Sequence, residues 1–377
     1  MNFAPVEQAM DAAVARGVFP GVVVLVNVGG RIAFLRAAGR RTLAPDDTSP
    51  MREDTIFDLA SLTKPLATTT AMMLCVRDRR VSLDDRVTRF FHNFGVHGKT
   101  HVTFRHLLAQ TSGLSAWRPY YRDIVKIERG GRINFTASRG AKEWVYEAIQ
   151  REKPEAPAGA RTLYSDLGFM LLGAAIEQMS GLTLDRFCHE KIFKPLGLRA
   201  TSFVDLALLR TRRLEPIVDM IAPTERCPWR KRILCGEVHD DNAYAMGGVA
   251  GHSGLFSCAR DLDRLATTLR ESWLGQNVFL PSSIVSEFWR RDDPVGSSTW
   301  ALGWDTPSLK GSTAGTELSR NAVGHVGFTG TSLWIDLDRH VHVIVLSNRV
   351  HPTRDNDLIR DFRPLIHDLV IRAVSDA

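Results

Sequence analysis

The spacing of apolar residues changes period twice along the chain. GVVVLVNVGGRIAFLRAAG (21–39) holds two β-rich runs around Asn27-Val28-Gly29-Gly30, which predicts a hairpin. TSLWIDLD (331–338) and the run ending at Asn348 predict a second hairpin across Asp338-Arg339-His340. Between them helical spacing prevails. Leu62, Leu66, Thr70, Met73, Leu74 and Arg77 recur every three or four residues, which predicts a helix over 62–79. Pro65 is tolerated only in a first turn, so that helix should start near Ser61. Further helices are predicted at 102–110, 141–152, 166–181, 185–193 and 261–272, with Pro154 and Gly181 as stops. Val6, Ala9, Met10, Ala13 and Val14 share one face of an opening helix, 1–15, and 354–374 closes the chain.

Strands at both ends and helices between predict an α/β (α+β) fold. One antiparallel sheet is built from both chain ends and flanked by helices 1–15, 62–79 and 354–374. The expected division is 1–85 with 245–377 as a sheet-plus-helices part and 86–244 as a mostly helical insert, with a cleft between them.

Composition narrows the function classes. The chain has 377 residues and 44% apolar content, an ordinary globular balance. No apolar run reaches the roughly 18–20 residues a bilayer requires, so no membrane span is expected. The five cysteines, Cys75, Cys188, Cys227, Cys235 and Cys258, are odd in number and scattered, which fits free thiols better than a disulfide framework. The start has no basic stretch followed by an apolar run, so no signal peptide is visible and a cytoplasmic location is expected. A periplasmic or secreted location follows if a leader has been trimmed. The charge is +6, concentrated at 129–132, 210–213 and 225–232. Only Trp229 interleaves an aromatic ring there, so these read as solvated loops and no nucleic-acid partner is expected.

Candidate chemistry starts at Ser61-x-x-Lys64. Residues three apart share a helix face, so a lysine can touch a serine hydroxyl. A serine is a poor nucleophile until a base takes its proton. At a helix start, backbone N–H groups also face any oxyanion that forms. Tyr164-Ser165-Asp166 precedes the 166–181 helix, where Asp166 could also serve as an N-cap. HVGFTGTSLWID (325–336) begins a strand with His325 and Gly327, where glycine would let a substrate lie against the backbone. No G-x-S-x-G elbow, H-E-x-x-H or phosphate cradle is present. His239-Asp240-Asp241 reads as a polar loop rather than a metal site.

Taken together, LASLTKP, HLLAQTSGL, YSDLGFMLLG, PLGL, GGVAGHSGLFS and HVGFTGTSLWID resemble the serine β-lactamase and penicillin-binding-protein superfamily. The likeness is to its class C-like branch, with DD-peptidase and family VIII esterase relatives, and it spans nearly the whole chain. It implies a β-lactamase/transpeptidase-like fold and an acyl-enzyme at Ser61, with Lys64 and Tyr164 moving the proton. It also implies His325-Val326-Gly327 in place of K-T-G, and an oxyanion hole from the Ser61 and Phe328 N–H groups. Gly327, Thr329, Trp117 and Tyr120 are expected to bind substrate, and loops near Tyr121 and 237–254 to shape the acyl pocket. No metal or organic cofactor is expected.

By that resemblance the chain is a serine hydrolase of small acyl or short peptide-like compounds, an esterase or β-lactamase relative. The alternatives are a penicillin-binding DD-carboxypeptidase, or a peptide- or muropeptide-binding protein without turnover. Oligomeric state is left open. Two departures shift the expectation. Asp166 replaces the usual Asn, so Lys64 should stay charged and Tyr164, its pKa lowered by that charge, should be the working base. His325 replaces lysine, so carboxylate-bearing β-lactams should be poorer substrates than neutral esters.

Overall fold

The computed structural model describes residues 1–375. Its strands are β1 (Gly21–Val28), β2 (Arg31–Gly39), β3 (Phe57–Asp58), β4 (Ser202–Phe203), β5 (Arg226–Cys227), β6 (Arg232–Ile233), β7 (Leu255–Ser257), β8 (Val323–Gly327), β9 (Thr331–Asp336) and β10 (Val341–Ser347). The main sheet is antiparallel, in the order β2-β1-β10-β9-β8. Both predicted hairpins are present. They join through β1 and β10, which pair from Val22 with Ser347 to Val28 with Val341.

Successive strand side chains point to opposite faces, and β1 is apolar on both. Val22, Val24 and Val26 meet the helices Ala4–Ala15 and Ile359–Ser375. Val23 and Leu25 join a second cluster that runs on into the middle of the chain, through Leu66, Met73, Leu107 and Phe169. The core is therefore continuous from the sheet to the central helices.

The predicted 62–79 helix is not one regular element. A 3₁₀ turn, Ala60–Leu62, leads into a wider π turn, Lys64–Thr69, and only Thr70–Arg77 is α-helical. Pro65 lies in the first turn of the π segment, as its missing N–H requires. π turns are uncommon and concentrate at functional sites. Ala60 has φ +47°, a left-handed conformation that disfavours a residue with a Cβ. The Ala60 N–H donates to Asp58 Oδ1 (2.9 Å), which holds the turn.

A small sheet, β3-β7-β4, carries this turn to the central segment. Pairing of Phe57 with Ser257 and Asp58 with Phe256 sets residues 251–254 beside Ser61. Strand β8 is the outer strand of the main sheet. Gly324 bridges to Asp305, but His325–Gly327 pair only with β9, which leaves one backbone edge open next to Ser61.

Gly251 packs directly on the Asp166–Ser180 helix. A Cβ there would stand 2.0 Å from the Phe169 carbonyl and 2.9 Å from Gly173 N. Gly251→Ala must push the loop away from the helix, at an overpacking cost of about 1–3 kcal/mol. A lower thermal midpoint is expected, and an unchanged one in a thermal melt would show that this contact yields without strain.

Candidate active site

Four predicted side chains converge. Lys64 is fully buried, and a buried ammonium must find hydrogen-bond acceptors. Its Nζ donates to Ser61 Oγ (3.2 Å) and to the His252 carbonyl (3.1 Å), and it forms an ion pair with Asp166 Oδ1 (2.7 Å). The Tyr164 ring lies 4.8 Å from the same nitrogen. Asp166 is not the helix cap. Ser165 takes that role, accepting from the Gly168 N–H, which frees the Asp166 carboxylate to face Lys64.

Burial disfavours the Lys64 ammonium, but Asp166 and Tyr164 outweigh it and the pKa is raised, as the sequence led us to expect. The expectation for Tyr164 is overturned. Its pKa is raised, because burial of the phenol and the Asp166 charge outweigh the pull of Lys64. The resting cluster is thus carboxylate, ammonium, neutral phenol and neutral hydroxyl.

His325 stands on β8, 97% buried, near the Tyr164 and Trp300 rings (5.9 and 5.5 Å between centroids). Burial and the nearby Lys64 push its pKa down to about 3, so it is neutral. Nδ1 lies 2.7 Å from the Val326 carbonyl and donates to it, which leaves Nε2 as an acceptor with no partner among the described residues.

Ser61, Tyr164, His325, Gly327 and Phe328 line a cavity of about 390 Å³. The Phe328 N–H has no backbone acceptor among the described residues, and neither has that of Ser61. A larger groove of about 820 Å³, between Leu209, Arg213 and Val218, contains none of these groups. Its size does not locate the chemistry.

Other expected substrate contacts are not made. Tyr120 is buried and donates to Glu152 Oε1 (3.0 Å), so it is a core residue. Thr329 is buried and donates to the Asp58 carbonyl (2.7 Å). Trp117 is exposed but does not line the cavity; it leans on Tyr121 instead. Gly327 does line it, for another reason than the sequence suggested. A Cβ there would meet Thr331 Oγ1 at 2.1 Å and the Leu59 carbonyl at 2.4 Å, so glycine makes room for the protein's own backbone. His239 belongs to no cluster of three potential metal ligands among the described residues.

Sequence reasoning missed Trp300, Asp305, Arg349 and Arg363, which also line the cavity, as do Asp357 and Arg360. Burial raises the Asp305 pKa to about 6. Arg363 had a signal. In the C-terminal helix it shares the buried face with Ile359, Phe362 and Ile366, and a charge on an apolar face calls for a reason. The His252 carbonyl had none, since any residue carries one.

Residues 6–367 match the Beta-lactamase family model. The chain is 31% identical over 361 residues to a putative D-alanyl-D-alanine carboxypeptidase of Escherichia coli, covering 88% of this chain and 79% of that protein. It is 29% identical over 367 residues to an N-acetylmuramyl-L-alanine amidase of Bacillus subtilis, covering 92% and 80%. Among solved structures, EstCE1, a hydrolase with promiscuous acyltransferase activity, superposes with a TM-score of 0.71 at 22% identity, over 96% of this chain and 97% of that one. An octameric penicillin-binding protein homologue from Pyrococcus abyssi gives 0.71 at 20% identity, over 97% and 78%. These likenesses bear out the β-lactamase-like fold that the motif resemblance implied. The chain belongs to the Beta-lactamase family, as a hydrolase of the serine type.

Proposed function

We propose that the chain hydrolyses acyl compounds whose leaving group ends in a carboxylate, short peptides foremost, through an acyl-enzyme at Ser61. The observation that carries this reading is Arg363. Its guanidinium lines the Ser61 cavity and donates to the Gly327 and Thr331 carbonyls. It is 92% buried, yet forms no ion pair with a carboxylate among the described residues, unlike its neighbours Arg349 and Arg360, which share Asp357. Burial pulls its pKa down to about 9, so it is still charged at neutral pH. An unpaired buried cation is costly, and a substrate carboxylate would relieve that cost. The names of the two sequence relatives agree with a peptide-like substrate.

The chemistry follows from the charges. Ser61 Oγ attacks the acyl carbon as Tyr164 takes its proton, with Lys64 steadying the phenolate that Tyr164 must first become. The Ser61 and Phe328 N–H groups receive the oxyanion. The oxyanion collapses, the bond to the leaving group breaks, and Tyr164 passes the Ser61 proton to that group. Water then attacks the acyl carbon as Tyr164 takes its proton, and Tyr164 returns that proton to Ser61 Oγ as the acid leaves. A second reading, turnover of neutral short-chain esters, is favoured by the neutral His325, which offers an acceptor where the family pattern has a cation.

Ser61→Ala should abolish hydrolysis of every substrate with little change in stability, about 0.5 kcal/mol at most. Retention of a tenth of the activity would remove Ser61 from the mechanism.

Matched peptides, one with a free C-terminus and one amidated, separate the two readings. A kcat/KM ratio of about 10 or more in favour of the free acid is expected, since one charged contact of about 1.4 kcal/mol suffices. Arg363→Gln should shrink the ratio. Equal rates, or a preference for the amide, would favour the ester reading. His325→Lys should raise the ratio by adding a second cation.

Asp166 raises both the Lys64 and the Tyr164 pKa. The base form of the pair therefore appears only at higher pH than it would without Asp166. Asp166→Asn should move the acidic limb of kcat/KM to lower pH, and the limb belongs to the coupled pair. A limb that stays in place would reduce Asp166 to a structural anchor. Tyr164→Phe should cost about 10²–10⁴-fold in kcat.

A further inference from the structure

Phe328 supplies one of the two free N–H groups beside Ser61, and the residue is 49% exposed. An exposed residue after the last pairing of a strand is normally loose. Here it is held from two sides of the chain. The His239 ring stacks on it, with centroids 5.7 Å apart and planes within 25°. The Arg349 guanidinium lies 4.4 Å from the ring centroid, and its Nε donates to the Phe328 carbonyl (2.8 Å).

The residues that hold Phe328 are joined to each other. His239 Nε2 lies 3.2 Å from Glu225 Oε2, a close polar contact without hydrogen-bond geometry. Glu225 receives Arg354 on both its oxygens, and Arg349 Nη1 donates to the Arg354 carbonyl (3.0 Å). Phe328, His239, Glu225, Arg354 and Arg349 therefore form a closed ring of contacts. Burial works against the Glu225 charge, but His239 and Arg354 outweigh it and bring its pKa to about 2.

The ring is also tied to the nucleophile. The backbone N–H of His239 donates to Asp58 Oδ2 (2.6 Å), while the other oxygen of Asp58 receives the Ala60 N–H. One carboxylate thus spaces the Ser61 turn from the side chain that stacks on Phe328. A donor stabilises an oxyanion only at about 2.7–3.1 Å, so this spacing is where catalysis is sensitive.

We propose that His239 is a positioning residue for the oxyanion hole: its stack on Phe328 fixes the Phe328 N–H against Ser61, and Glu225 fixes the ring of His239. This rests on the acyl-enzyme reading above. His239 touches no reacting atom. Its effect falls on the transition state, where the oxyanion exists, and hardly on substrate binding.

The experiment compares His239→Ala and His239→Phe with the wild type, for kcat, KM and the affinity of a boronic acid that becomes tetrahedral at Ser61. Losing a whole oxyanion donor costs about 10²–10³ in kcat, so loosening one should cost about 10–100-fold in His239→Ala. KM should stay within about twofold, and boronate affinity should fall with kcat. His239→Phe keeps a flat ring on Phe328 and should recover to within about threefold of wild type. A phenylalanine variant as poor as the alanine one overturns the stack. So does an alanine variant that keeps its kcat, or that loses KM alone. If His239→Ala does not fold, His239→Leu makes the same comparison with similar bulk. Labelling of wild-type Ser61 by a fluorophosphonate, read by mass, is a separate measurement. No label sinks the acyl-enzyme reading, whereas a labelled wild type with an indifferent His239→Ala sinks only the positioning role.

Discussion

A lysine ammonium with no solvent contact sets the terms for this molecule. Lys64 is enclosed on all sides, and an uncompensated buried charge costs several kcal/mol. One partner, Ser61, is local, but the other two come from distant stretches: Asp166 at the head of a central helix and the His252 carbonyl before β7. No local piece of chain satisfies Lys64 alone. The fold has to bring all three together, and the small β3-β7-β4 sheet and the Gly173–Gly251 contact are the means. Thr68, one turn on, repeats the tie by donating to the Gly251 carbonyl (2.6 Å).

The same constraint shapes the chemistry. With Asp166 in place, the resting cluster is electrically neutral, so losing a proton from the Lys64–Tyr164 pair leaves a net negative site. Burial makes that step harder for Tyr164. Positive charge nearby would ease it. The neutral His325 supplies none, and the unpaired guanidinium is further along the cavity, at Arg363.

Much of this was legible in the sequence. Period-two runs gave both hairpins, and the Ser61, Lys64, Tyr164, Asp166 and His325 positions meet as the motifs require. What sequence reasoning lost has physical causes. It took 62–79 as one helix, because apolar spacing cannot tell an α turn from a π turn. It assigned Tyr120 and Thr329 to the substrate, because closeness in sequence to a motif does not say which way a side chain turns; both turn inward to protein acceptors. It treated 225–232 as a solvated basic loop. Arg230 and Glu225 are in fact buried, each with partners from the same segment or from the C-terminal loop. Paired charges look the same in a sequence as solvated ones.

Those paired charges explain why an irregular segment can belong to a precise site. Short strands and loops hold position poorly through backbone pairing alone. Around Ser61 the holding is done by buried polar groups with two contacts each. Asp58 receives Ala60 and His239, Arg349 reaches Phe328 and Arg354, and Thr331 donates to the Leu59 carbonyl (3.1 Å). Gly327 shows how tightly the result is packed, since even one added carbon would meet the backbone before the nucleophile. A polar network of this kind is favourable only when every member is satisfied. Four of the exceptions border one cavity: the free N–H groups of Ser61 and Phe328, the acceptor on His325 and the unpaired charge of Arg363. The unpartnered groups that line the Ser61 cavity are ones a substrate can satisfy.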